Sequence, residues 1–262
     1  AFLLGRRRSI LADDMGLGKT RQSVLAMTHA EPDGPWLVIC PASVKHNWER
    51  EIHIVLPEAP VHIVGPAPPP DPAYSGWVVI NYDLLKRNIP HLLTHRWRGL
   101  VFDEAHYLKN HTSQRSRLSR RLVSETEGDP VVHALTGTPL TNRPRDLFPL
   151  LQLVDHSLGR SFFGFAKRYC AAEKNDYGYW VTAGASHLEE LAVQLHGIML
   201  RRRKEEVLHL PPKVRSWIDV DIPEKAREAL NDAVRSFLGD ARTEPARDQR
   251  GRRTGIGQLS SA

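Results

Sequence analysis

Met15-Gly16-Leu17-Gly18-Lys19-Thr20 follows an apolar run at residues 9–13 and opens a helical pattern. In such a strand-to-helix turn the backbone N–H groups point inward, and the N-terminus of the helix adds positive potential for phosphate. The glycines let the backbone approach a ligand closely. We expect Lys19 to reach the β- and γ-phosphates of a nucleotide and the Thr20 hydroxyl to bind Mg²⁺. The generic pattern has Gly five residues before Gly18, where this chain has Asp13.

Apolar runs alternate with amphipathic helical patterns over the first 155 residues. The predicted strands are residues 9–13, 36–40, 61–64, 77–80, 100–102 and 131–136. Most are apolar almost throughout, which is typical of parallel strands that are covered on both faces. This alternation predicts an α/β fold, with a mostly parallel central sheet flanked by helices.

Asp103 and Glu104 end the apolar run at residues 100–102. A carboxylate at the end of a strand can hold the Mg²⁺ of a bound nucleotide, and the next acid is then free to polarise the attacking water. The sequence therefore predicts Asp103 as the metal ligand and Glu104 as the general base. An ordinary solvated helix start is the alternative for an isolated Asp-Glu pair.

Thr136-Gly137-Thr138 follows the strand predicted at residues 131–136. Hydroxyl groups beside the acidic pair could sense the γ-phosphate and relay its state, although such a stretch standing alone would indicate a plain turn. We predict a coupling role for Thr136, Gly137, Thr138 and His106.

The composition favours a globular chain that binds nucleic acid. Of 262 residues, 41% are hydrophobic and 25% are charged, values that exclude a disordered chain or a fibre. No apolar run approaches the roughly 20 residues of a membrane span. The net charge is +6, and arginine clusters such as 201–203 would attract a polyphosphate backbone. The two cysteines suggest no disulfide framework, so we expect a reducing compartment, cytoplasmic or nucleoid-associated in a prokaryote and nuclear in a eukaryote.

Three motifs together make a family resemblance visible. The residues Ala12 to Thr20, Asp103-Glu104-Ala105-His106 and Leu135-Thr136-Gly137-Thr138-Pro139-Leu140 resemble motifs I, II and III of the SWI/SNF-type helicase-like ATPases of helicase superfamily two. In that family Asp is usual at the position of Asp13. Further similarities, at 142–147 and 165–170, are to the branch that contains the DNA-annealing helicases.

The resemblance implies a RecA-like P-loop NTPase lobe that uses ATP and Mg²⁺ and translocates along double-stranded or branched DNA. It implies nucleotide contacts from residues 15–20, Asp103 and Glu104. It also implies DNA contacts from residues matching motifs Ia, Ib and III and from one further lysine: Ser43, Lys45, Asn81, Tyr82, Thr138 and Lys109.

The same resemblance suggests a domain plan. We expect the core of lobe one at 1–155, a helical and aromatic insertion with the family's basic segment at 156–210, a strand and helix at 211–238, and a flexible linker at 239–262. The second RecA-like lobe would belong to a longer parent chain, so the isolated lobe is expected to hydrolyse ATP poorly.

Two other functions remain open from the sequence. The motor subunit of a restriction or phage-defence system shares these motifs. A non-hydrolysing scaffold would use the basic surface only to grip DNA, although the combination of Lys19, Thr20, Asp103 and Glu104 argues against it.

Overall fold

The computed structural model describes residues 2–66, 68–137, 143–208 and 223–243. Packing divides the chain into two units, Ala1–Leu210 and Pro211–Ala262. In chain order the elements are β1 (Arg8–Leu11), α1 (Lys19–Ala30), β2 (Trp36–Cys40), α2 (Lys45–Val55), β3 (Val61–Ile63), β4 (Trp77–Asn81), α3 (Leu85–Leu92), β5 (Gly99–Phe102), α4 (Gln114–Glu125), β6 (Val131–Leu135), α5 (Phe148–Leu153), α6 (Phe162–Tyr169), β7 (Glu173–Lys174), β8 (Trp180–Val181), α7 (Leu188–Leu195), β9 (Met199–Leu200), α8 (Lys204–Val207) and α9 (Glu224–Thr243).

A seven-stranded sheet organises the first unit, with the strand order β3-β4-β2-β5-β6-β1-β9. Every pair of neighbours in this sheet is parallel. The carboxyl ends of all its strands therefore lie at one edge, where ligands bind in open α/β sheets. The predicted α/β class and its parallel sheet are confirmed.

Helices cover both faces of the sheet because successive strand residues point to opposite sides. On one face, Val38 and Val79 pack with residues of α1 and α2 such as Met27 and Trp48. On the other face, Leu37 and other strand residues pack with α3, α4, α5, α6 and α7. Each strand of the sheet centre is thus buried on both sides, in agreement with its apolar sequence.

The insertion predicted at residues 156–210 contributes to this core. Phe165 and Leu191 are buried in the same cluster as the sheet residues. In addition, β9 pairs with β1 as the outermost strand of the main sheet. The core predicted to end at residue 155 therefore leaves out one strand, β9. The hydrophobic pattern did not predict this strand because it is only two residues long and is followed by arginines.

The helix α9 belongs to the second unit and continues to Thr243. The prediction of a flexible linker from residue 239 is wrong for its first residues, because a glycine inside a helix costs only about 1 kcal/mol and good helix formers surround it. The strand expected near 214–222 and the remainder of the linker lie outside the described residues. No helix in the described ranges is both long and apolar enough to cross a membrane.

One buried histidine makes the stability of this fold sensitive to pH. His133, in the middle of β6, is 0% exposed, and its Nδ1 lies 2.9 Å from the hydroxyl oxygen of Ser23. Burial lowers the pKa of His133 from 6.5 to about 3. Below pH 6.5 the unfolded chain therefore binds a proton that the folded chain does not. The free energy of unfolding should therefore decrease by up to about 1.4 kcal/mol for each unit by which the pH is lowered.

Urea unfolding between about pH 7.5 and pH 4 would measure this decrease. A His133→Gln variant, which has no titrating group there, should lose this part of the slope. Equal slopes for the two proteins would contradict the assignment.

Candidate functional site

A cavity of about 490 Å³ opens at the carboxyl edge of the sheet, between the loops that follow β1 and β5. Its walls include most of the residues predicted to bind a nucleotide: Met15, Gly16, Gly18, Lys19, Thr20, Asp103 and Glu104. Val44, Asn47 and Glu51 also line the cavity, and the sequence patterns did not single them out. The structure thus brings together two motifs that lie more than eighty residues apart in the chain.

The loop after β1 has the geometry of a phosphate-binding loop. Gly16 and Gly18 adopt positive φ angles of 86° and 72°, a conformation that glycine adopts without a steric penalty. Gly18 is the N-cap of α1, and no side chain caps this end of the helix. The first N–H groups of α1 therefore remain available to an anion.

Lys19 lies at the first position of α1, and its ammonium donates to the carbonyl oxygens of Asp13 at 2.8 Å and Asp14 at 3.2 Å. The side chain thus closes over its own loop. Leu17, also predicted to bind the nucleotide, is not part of the cavity wall. Its N–H donates to Asp14 and its carbonyl accepts from Gln22, so it shapes the turn instead.

The acidic pair follows β5 at the same edge. Asp103 accepts hydrogen bonds from the indole N–H of Trp48 at 2.8 Å and from the N–H of Glu104 at 2.9 Å. Burial raises the pKa of Asp103, and the hydrogen bond from Trp48 partly opposes that increase. Trp48 orients the carboxylate, a role that only the folded structure reveals, since 55 residues separate the two.

Glu104 has a backbone conformation in the left-handed region, at φ 44°, and it lines the cavity. Its Oε2 lies 3.1 Å from Nδ1 of His106, close enough for an ion pair but without the alignment of a hydrogen bond. Within the described residues, Glu104 is therefore a half-buried carboxylate with no aligned donor on its oxygens. Such a group can accept a proton from a bound water.

The loop after β6 touches the phosphate-binding loop. Thr136 is buried and donates its N–H to the carbonyl of Leu11 at 3.0 Å. A Cβ added to Gly137 would lie 2.8 Å from Cγ of Met15 and 3.6 Å from Nζ of Lys19. The predicted coupling residues Thr136 and Gly137 thus adjoin the site, whereas Thr138 lies outside the described residues.

The residues predicted to contact DNA differ in their accessibility. Ser43 and Lys109 are exposed. Lys45 is half-buried and donates to the carbonyl of Val64 at 2.9 Å. These three side chains lie at the surface of the carboxyl edge.

Asn81 and Tyr82 are buried, at 6% and 4% exposure, so their side chains are not exposed as those of Ser43 and Lys109 are. The Tyr82 hydroxyl donates to the carbonyl of Asp103 at 2.8 Å, and its ring stacks on Tyr107. The aromatic ring at this surface is that of Tyr107, which is 44% exposed. The strand β4 includes Asn81, one residue more than the sequence pattern suggested, and Tyr82 begins the short 3-10 turn that follows it.

Comparisons with known proteins agree with this geometry. A profile of the SNF2-related domain matches residues 2–249. The mouse DNA annealing helicase and endonuclease ZRANB3 is 35% identical over 241 residues, which cover 86% of this chain and 22% of that protein. The SWI/SNF-related matrix-associated actin-dependent regulator of chromatin subfamily A-like protein 1 of Drosophila melanogaster is 35% identical, covering 82% of this chain and 28% of that protein. The chain thus spans about a quarter of the length of these relatives.

A solved structure shares the fold. The Sulfolobus solfataricus SWI2/SNF2 ATPase core in complex with dsDNA superposes with a TM-score of 0.63 at 24% sequence identity, covering 91% of this chain and 50% of that chain. The profile match extends over nearly the whole sequence, and the phosphate-binding loop and the acidic pair lie within it. The chain belongs to the SNF2-related domain family.

Proposed function

We propose that this chain is the ATP-binding lobe of a DNA-stimulated ATPase that translocates on double-stranded DNA and remodels DNA or protein–DNA complexes. The observation that carries the proposal is the convergence of Lys19, Thr20, Asp103 and Glu104 on one cavity. A site with a phosphate cradle, oxygen ligands for a metal and a carboxylate that can accept a proton is equipped for phosphoryl transfer to water.

The residues present fit a nucleotide with its metal ion. The uncapped first turn of α1 and the ammonium of Lys19 would hold the phosphates. The Thr20 hydroxyl and Asp103 are the hard oxygen ligands that Mg²⁺ prefers. When bound, Mg²⁺ would neutralise charge on the phosphates.

Hydrolysis would depend on Glu104, which would orient the attacking water and take its proton at a carboxylate oxygen. Asp103 would remain ionised beside it because the metal and the Trp48 indole both favour its charged form. The stretch containing Thr136 and Gly137 touches the phosphate-binding loop. It would transmit a change in the position of that loop to the surface that faces DNA.

The DNA partner is supported by charge and by the named relatives. The net charge of +6 suits a polyphosphate backbone, and the structural neighbour is a complex with dsDNA. Two relatives are DNA annealing helicases by name, in mouse and human. These names favour duplex or branched DNA as the substrate over the scaffold function. A second RecA-like lobe would complete the cleft.

The decisive experiment is steady-state ATP hydrolysis by the complete protein, with and without double-stranded DNA. We expect strong stimulation by duplex DNA. If ATP binds but is not turned over in either condition, the motor function is wrong and a DNA-gripping scaffold takes its place.

Trp48 provides a further test of the metal site. A Trp48→Phe change removes the hydrogen bond that holds down the pKa of Asp103, so this pKa rises further above its ordinary value. Because Mg²⁺ binds the carboxylate form, affinity for the Mg²⁺–nucleotide complex should fall, and the loss should grow as the pH is lowered.

Titration with a fluorescent ATP analogue at several pH values would measure the effect. The matched control is Trp77→Phe, since Trp77 is equally buried in the same cluster but its indole N–H has no partner. Equal pH profiles for the two variants would refute the role of the Trp48 hydrogen bond.

A further inference from the structure

The phosphate-binding loop is attached to a segment almost two hundred residues away. Beyond the pairing of β9 with β1, Ala12 donates its N–H to Leu200 at 2.7 Å and Asp14 donates to Arg202 at 3.0 Å. In return, the N–H of Lys204 donates to the carboxylate of Asp14 at 3.1 Å. The backbone of the loop's first residues is therefore tied to residues 200–204.

An ion pair between the buried carboxylate of Asp13 and Arg202 strengthens this attachment. Asp13 is 0% exposed, and the guanidinium of Arg202 contacts both of its carboxylate oxygens, with Nε at 3.1 and 3.2 Å. The N–H of Arg202 donates to the same carboxylate at 3.0 Å, and its Nη2 donates to Gln22 of α1 at 2.8 Å. Since a lone buried carboxylate is strongly unfavourable, Asp13 depends on Arg202.

Lys204 places a second ammonium at the loop. Its Nζ lies 3.5 Å from the position that a Cβ would take on Gly16, and Gly16 lines the nucleotide cavity. The side chain is half-buried against the tip of the loop. Lys19 is directed at the backbone carbonyls of Asp13 and Asp14, whereas Lys204 lies against Gly16, so the two ammonium groups contact different residues of the loop.

We propose that Arg202 and Lys204 belong to the nucleotide site. Arg202 is a positioning residue that fixes the phosphate-binding loop through Asp13 and Gln22, and Lys204 contacts the terminal phosphates of a nucleoside triphosphate. The inference rests on the proposed ATP-binding function. It makes nucleotide affinity dependent on the docking of a segment that lies far from both sequence motifs of the site.

The test is binding of a fluorescent ATP analogue with Mg²⁺ to this chain. An Arg202→Met variant should bind about tenfold or more weakly, because a bidentate, charge-assisted contact is lost. Arg202→Lys keeps the charge but not the planar guanidinium that contacts both carboxylate oxygens, so its affinity should be intermediate. The matched control Arg201→Met removes the exposed neighbouring arginine and should bind like the unaltered chain.

The double variant Asp13→Asn, Arg202→Met keeps the test informative if Arg202→Met fails to fold. It removes both charges together, which relieves the buried carboxylate while still releasing the loop. Weak binding by a folded double variant supports the positioning role, and normal binding refutes it.

Lys204 is tested by the ratio of affinities for the triphosphate and the diphosphate. Lys204→Met should lower this ratio severalfold, whereas a purely structural role would weaken both nucleotides equally. Normal binding by both Arg202→Met and Lys204→Met, with loss of binding in Lys19→Ala, would overturn this inference alone. Absence of binding by the unaltered chain would overturn the proposed function itself.

Discussion

A Glu104→Gln substitution is expected to leave ATP binding within about twofold of the unaltered protein and to lower kcat by about 10²–10⁴-fold. The amide has nearly the shape of the carboxylate, so the half-buried side chain can keep its place at the cavity wall. It cannot accept a proton from the attacking water. The expected signature is a loss confined to the chemical step.

The measurement is DNA-stimulated ATP hydrolysis by the complete protein, combined with equilibrium binding of a fluorescent ATP analogue. Glu125→Gln serves as a control, because Glu125 is an exposed carboxylate on α4 that pairs with Arg121. Normal turnover by Glu104→Gln would show that another group activates the water. A parallel loss of binding would instead assign Glu104 to the metal or the phosphates.

Replacing Lys19 by Ala should weaken ATP binding by about a hundredfold or more. The ammonium of Lys19 is positively charged, and a charge-assisted contact to phosphate inside a cavity is among the strongest that a side chain makes. The substitution also removes the ammonium that donates to the carbonyl of Asp13, and it leaves the carbonyl of Asp14 with the N–H of Leu17 alone, so the loop itself should loosen. Both effects act on binding, which distinguishes this variant from Glu104→Gln.

Calorimetric or fluorescence titration with Mg²⁺–ATP would quantify the change. Lys86→Ala, at an exposed position of α3, is the matched control for removal of a lysine. Retained affinity in Lys19→Ala would mean that the loop does not bind the phosphates, and the proposed function would fail at its first step.

The sequence predicted the central sheet well because its strands are short, apolar and buried on both faces. The predicted strand at residues 36–40 has the observed bounds, and most of the others differ by one or two residues. The phosphate-binding loop and the acidic pair were found for the same reason, since each is a local pattern attached to a strand. Features formed by consecutive residues can therefore be predicted from the sequence.

The contacts that complete the site are not local. The hydrogen bond from Trp48 to Asp103 and the pairing of Asp13 with Arg202 join residues that are 55 and 189 positions apart. The hydrophobic periodicity of the sequence does not indicate which distant residues pair in this way. The burial of Tyr82 could not be predicted for a related reason, because the side chain contacts Tyr107 and the carbonyl of Asp103, which come later in the chain.

The strand β1 lies between β6 and β9, so the loop that follows it is built from the beginning and the far end of the first unit. During synthesis on the ribosome, β1 emerges before β9, and the carboxylate of Asp13 cannot pair with Arg202 until Arg202 has been added. Until then, the edge of β1 that faces β9 is unpaired, and the carboxylate of Asp13 lacks the contacts that accompany its burial. We therefore expect the phosphate-binding loop, although it precedes most of this unit in the chain, to be among the last parts of the unit to reach its final form.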